Sequence, residues 1–136
     1  MTTMFDSIKP KTSPEVIKGK LFSFHNSAHS LHLDCIGKSS YAEHNALDIL
    51  YKELVDVKDD IVEQLQGYIG RRIGQVSLDP LPKYEVGASM KLVNEIIEFS
   101  ATCESWANNN GLLNIGNKFQ ELQGLGAKVK FLLTLE

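Results

Sequence analysis

The sequence predicts an all-α fold, a four-helix bundle in which one long crossover joins the second and third helices. Three observations carry this. Residues 41–66 hold no proline or glycine and place apolar side chains three and four apart, the helical period. Short turn signals, Gly37 to Ser40 and Asn109 to Gly111, close the first and third helical stretches. Residues 67–87 contain Gly67, Gly70, Gly74, Gly87, Pro80 and Pro82 and are too long for a tight turn. A chain of 136 residues, 43% apolar, suits one core, hence a single domain over residues 1–136.

Residues 1–12 read as a flexible N-terminal arm. Ser13, Pro14 and Glu15 then start the first helix with a capping hydroxyl, a first-turn proline and an acid at the positive dipole end. It runs to about Asp34. Ser40 with Glu43 has the capping-box spacing for the second helix, Tyr41 to about Gln66, roughly 26 residues or ~39 Å. Leu47, Leu50, Leu54, Val57, Ile61 and Leu65 form its apolar stripe. The third helix spans Ala88 to Asn108, with Met90, Val93, Ile97, Ala101 and Trp106 to one side. Leu112, Ile115, Phe119, Leu122, Val129 and Leu133 define the fourth, although Gly116, Gly124 and Gly126 each weaken a helix by about 1 kcal/mol relative to alanine.

Loop lengths set the topology. Short turns make antiparallel neighbours of helices one and two, and of three and four, whereas the 67–87 crossover reaches up to ~65 Å and can traverse the whole bundle. Helices two and three then run parallel, which is the ferritin-like arrangement. An up-and-down bundle with a disordered loop is the alternative.

Composition excludes several classes. No apolar run reaches the roughly 18 to 20 residues of a membrane helix, and MTTMFDSIKPKTSPE has no secretory apolar segment, so a cytoplasmic protein is expected. Cys35 and Cys103 lack metal-motif spacing and read as free structural thiols. A net charge of −3 opposes a surface given over to nucleic acid. Lys9, Lys11, Lys18 and Lys20 against Asp6 and Glu15 make only a modest basic arm, the composition of an ordinary solvated tail. There is no GxGxxG, GxxxxGKS or GxSxG, so nucleotide enzymes and elbow hydrolases have no foothold.

The chemistry-bearing residues lie on the first two helices. His25, His29 and His32 fall within about 60° of one another on the first. On the second, His44, Asp48, Asp59 and Glu63 stand near about 0°, 40°, 60° and 100°, a stripe beside the core face. Such a stripe is usually just solvated, and its ends lie too far apart, ~16 Å between Asp48 and Asp59 along the axis, to share one ion within a chain. The pairs His44/Glu63 and Asp48/Asp59 nevertheless share one midpoint, between Glu53 and Leu54. Two copies crossing antiparallel there would bring His44 and Asp48 of one against Glu63 and Asp59 of the other, giving two equivalent sites per dimer. Val55 and Val62 would add apolar packing. Imidazole mixed with carboxylate suits iron or manganese, and less so zinc in closed cysteine-rich sites.

The stretch HSLHLDCIGKSSYAEHNALDILYKELVDVKDDIVEQ, residues 29–64, resembles the ferroxidase segment of the Dps proteins, the small ferritins of twelve subunits. In that family a histidine near the end of the first helix is followed twelve residues on by another and then, four on, by an aspartate; the two-fold mate supplies an aspartate and a glutamate. His32, His44, Asp48, Asp59 and Glu63 match those positions without a gap, and Gly37 matches the family's glycine. His29 falls where many members carry a further upstream histidine, and the resemblance adds it to the metal ligands His32, His44, Asp48, Asp59 and Glu63. The resemblance implies an iron-binding mini-ferritin that oxidises Fe2+ at sites between subunits and stores or detoxifies it, with manganese or zinc as substitutes, in a homo-dodecamer built on two-fold contacts of the second helix. Leu33 stands where the family commonly has tryptophan, and the chain is shorter than most members. The modest lysine arm leaves DNA binding open without carrying it over. AHSLHLDCIGKSSYAEHNAL is also similar to small proteins of tailed phages.

Two other readings stand beside this one. A non-catalytic structural or interaction protein, for instance of a phage, would use the same stripe as a polar interface. A di-metal site inside one bundle would require Glu-x-x-His ligands, and no histidine follows His44 although Glu95, Glu98 and Glu104 are present.

Overall fold

A computed structural model describes residues 11–38 and 40–135. Most of the expected N-terminal arm, including Lys9, lies outside them. Among the described residues there are four α-helices and no strand: α1 (Pro14–Asp34), α2 (Ser40–Ile69), α3 (Ala88–Asn109) and α4 (Leu113–Leu132). No helix among them is long and apolar enough to cross a membrane.

The start of α1 follows its cap. Ser13 is extended and its Oγ accepts the Val16 N–H at 3.2 Å, with Pro14 opening the first turn. Helix α2 departs from expectation at both ends. Ser40 is already helical, and Glu43, expected to fold back on the cap, instead accepts the Tyr84 hydroxyl at 2.6 Å and the Ser89 hydroxyl at 2.7 Å. The helix then runs through the exposed Gly67, because the roughly 1 kcal/mol disadvantage of one glycine is offset by docking Ile69 on the core. It stops at Gly70, whose φ of 72° is left-handed and whose N–H returns to the Gln66 carbonyl at 3.0 Å.

Ile17, Leu21, Phe24, Ala28 and Leu31 of α1 meet Leu47, Leu50, Leu54, Ile61 and Leu65 of α2 in the core. Burying each large aliphatic chain contributes ~1.5–3 kcal/mol. The face of α3 is rotated from the expected one: Leu92, Val93, Ile96, Cys103 and Ala107 are buried, while Ala101 is exposed and Met90, Ile97 and Trp106 are half-buried. Buried Ser89 and Ser100 interrupt the apolar pattern on the true face. One of the α4 glycines has a packing reason. A Cβ at Gly126 would stand 2.6 Å from Ile97 Cγ1, so its absence lets α4 approach α3, whereas at Gly116 the neighbour is only the end of the exposed Asn108 side chain.

Helix α1 lies beside α2 and α3, and α4 lies beside α3 and α2. Residues 71–87 run along α1. Arg71 meets Glu15 at 2.7 Å, Lys18 donates to the Gly74 carbonyl, Lys20 pairs with Asp79 at 2.8 Å, and Ser23 Oγ accepts the Asp79 N–H at 2.9 Å. Gly19 permits this contact, since a Cβ there would lie 2.8 Å from the Ser77 carbonyl oxygen. The segment ends where Tyr84 donates to the Ile36 carbonyl at 3.2 Å and to Glu43.

Candidate functional site

The corner where α1 ends and α2 begins brings His32 and His44 face to face. Their rings stack with centroids 3.8 Å apart and planes 25° apart. His32 Nδ1 lies 2.9 Å from the His44 carbonyl oxygen, and His44 Nδ1 lies 3.0 Å from the His32 carbonyl oxygen. A carbonyl only accepts, so both Nδ1 atoms carry the proton and, in the neutral rings, both Nε2 atoms carry a lone pair. The two backbones therefore choose the tautomer. This is the state of a histidine ready to bind a metal through Nε2.

Asp48, one turn beyond His44, places Oδ1 3.9 Å from His32 Nε2. Its other oxygen takes the Lys52 ammonium at 2.9 Å, and that hydrogen bond, followed by the Lys52 charge, holds its carboxyl below the usual aspartate range. His32 is 7% exposed, Asp48 is half-buried and His44 is exposed, so the group opens to solvent on the α2 side.

Asp59 and Glu63 are elsewhere on α2, both exposed. Asp59 has the Lys58 ammonium at 3.9 Å. Among the described residues no three histidine, cysteine, aspartate or glutamate side chains gather closely enough to hold a metal ion. One chain thus presents a histidine–histidine–aspartate half and, apart from it, an aspartate–glutamate half.

His29 and His25 continue the α1 row, with centroids 6.3 Å from His32 to His29 and 6.4 Å from His29 to His25. Tyr51 of α2 binds the row together: it stacks on His29 at 4.5 Å and lies 5.1 Å from His32 and 6.1 Å from His25. Burial, then the Lys58 charge, pushes His25 below the usual histidine range. Tyr51 and the buried Lys58, whose Nζ sits 4.2 Å over the Phe22 ring, were not among the expected site residues. The signal for Tyr51 was its place seven residues after His44, two helical turns along the same stripe. Cys35, three residues after His32, points its Sγ at the His32 carbonyl at 3.4 Å; burial, then Glu43, raises its pKa, which keeps it a thiol. Cys103 is buried in α3 and pushed up to about 12 by burial alone.

Fold and site together define a four-helix protein with a paired-imidazole and carboxylate corner on its first two helices. The chain belongs to a family of unknown function, DUF5856, whose model matches residues 32–133. The match takes in His32, His44, Asp48, Asp59 and Glu63 and begins after His25 and His29. No match to a curated protein or to a solved structure was found.

Proposed function

We propose that this chain is a ferritin-like subunit of Dps type that takes Fe2+ as substrate between two copies and oxidises it. The observation that carries the reading is the reciprocal His32–His44 bonding, which frees two Nε2 lone pairs, that of His32 lying 3.9 Å from Asp48. His32, His44 and Asp48 would hold the ion from one subunit, and Asp59 and Glu63 of the partner subunit would complete its shell. The exposure of Asp59 and Glu63 on the same side of α2 supports this, as does their common midpoint with Asp48 and His44. The ferritin-like topology is supported by the path of residues 71–87 along α1 and by α2 and α3 occupying opposite corners.

Hard anionic carboxylates favour the ferric over the ferrous ion, so the shell lowers the cost of removing an electron. With peroxide as oxidant, two Fe2+ ions each give one electron, the O–O bond breaks, and two added protons complete two waters. Dioxygen is the alternative oxidant. A dodecameric shell and storage of the oxidised iron within it follow from the resemblance to the Dps proteins.

The double variant Asp59→Asn with Glu63→Gln is expected to lose rapid Fe2+ oxidation, followed by ferric absorbance, while retaining its helical circular dichroism. Wild-type oxidation kinetics in that variant would reject the site.

One observation favours a second reading. Asp48 already has Lys52 and Asp59 already has Lys58, so the stripe carries its own counter-charges as a polar docking face would. A non-catalytic interaction protein would remain a monomer or dimer and stay metal-free after Fe2+ exposure, which solution mass and metal analysis read directly.

A further inference from the structure

We infer that His25 and His29 form a second binding position, within one chain, for a divalent transition-metal ion of nitrogen preference such as Ni2+, Cu2+ or Zn2+. This goes beyond the iron reading and needs no second copy. The two residues are four apart on α1, so their rings lie on one face a turn apart. An ion bonded to two imidazole nitrogens at about 2.0–2.1 Å holds the ring centroids roughly 4.5–5.2 Å apart. The observed 6.4 Å is wider by about 1–2 Å, a gap that χ rotation of the exposed His29 and half-exposed His25 rings closes.

The ring environments leave nitrogens available. His32 and His44 have each committed Nδ1 to a carbonyl. His29 is instead held by the face of Tyr51, stacked at 4.5 Å and 25°, and a face contact leaves the in-plane lone pair free. His25 meets the same tyrosine ring edge-on at 63° and has the Asn26 side chain beside it. Tyr51 thereby restricts both rings before an ion arrives, which reduces the ordering cost of binding.

The nearby charges oppose one another. Lys58 disfavours a cation at His25 and Asp59 favours one. Neutral imidazole pairs bind nickel, copper and zinc through directed nitrogen bonds, whereas magnesium and calcium depend on anionic oxygen, so the position selects the first group.

The test is a Ni2+ titration of the full chain, following the imidazole Cε1 proton signals of its four histidines by NMR. Paramagnetic broadening of His25 and His29 together is expected, with Mg2+ giving none. His29→Gln should raise the Ni2+ concentration that broadens His25 by about tenfold or more, and His25→Gln should do the same for His29. Joint broadening that persists in His44→Gln separates this position from the iron site. Signals of His25 and His29 that stay sharp up to millimolar Ni2+, or midpoints unchanged by the partner's replacement, overturn the inference.

Discussion

The two halves of α2 carry similar chemistry in different surroundings. At its start, His44 is tied to α1 by a ring stack and two side-chain-to-carbonyl hydrogen bonds, and Asp48 stands 3.9 Å from His32 Nε2. Towards its end, Asp59 and Glu63 project from an equally regular helix into solvent. The difference is made by α1, whose last turns lie against the first half and deliver His32 there. The chain therefore fixes its imidazole pair by folding and leaves the Asp59 and Glu63 carboxylates facing solvent. A polar group that the fold already uses costs stability when removed, whereas one held out to a partner does not.

The midpoint of α2 sets the scale for that comparison. Leu54→Ala, in the fully buried seam between the halves, is expected to cost ~2–5 kcal/mol in urea unfolding. Its effect shows what apolar packing alone contributes. His32→Ala at the clamped end should cost less, ~1–3 kcal/mol, because a buried ring, its stack and its hydrogen bond to the His44 carbonyl are lost. Glu63→Ala, by contrast, should move stability by no more than about 0.5 kcal/mol. If the Glu63 change costs as much as His32, the open half is being used within the chain and the contrast fails.

Much of this was legible in the residues. Ser13 and Pro14 located the start of α1, and unbroken three-four spacing located the core stripe of α2. The end of α2 was misread because a glycine's local preference says nothing of the residue after it: Gly67 is solvent-facing and Ile69 finds a core, so the helix continues to Gly70. The α3 face was misread because small serines, Ser89 and Ser100, occupy core positions that a hydropathy pattern counts as polar. The angular row of histidines was visible from a helical wheel, but the reciprocal carbonyl bonds of His32 and His44 were not, since they depend on how the α1–α2 turn brings two backbones together. Tyr51 lies on the same face, but an aromatic on a helix is ordinarily core, so its place in the sequence does not mark it as a partner of the histidines.

The smallest expected effect lies beyond the open end, where Arg71 reaches Glu15 across to α1 at 2.7 Å. The hydrogen bond from Arg71 holds Glu15 below the usual glutamate range. The unfolded chain therefore binds more protons than the folded one in the window between the lowered value and the ordinary one near about pH 4.3. Stability rises with pH across that window; the contribution is complete above it and is lost as pH falls through the folded value. Arg71→Ala should lower the urea midpoint slightly at pH 7, and the difference should vanish once the pH falls below the folded value, where Glu15 is protonated in both states. Both charges are exposed, so raising the salt concentration should shrink the pH 7 difference as well. A difference that survives acid and salt would instead mean that Arg71 acts by packing the start of the 71–87 segment against α1, and the open end of α2 would then be anchored more firmly than its charges suggest.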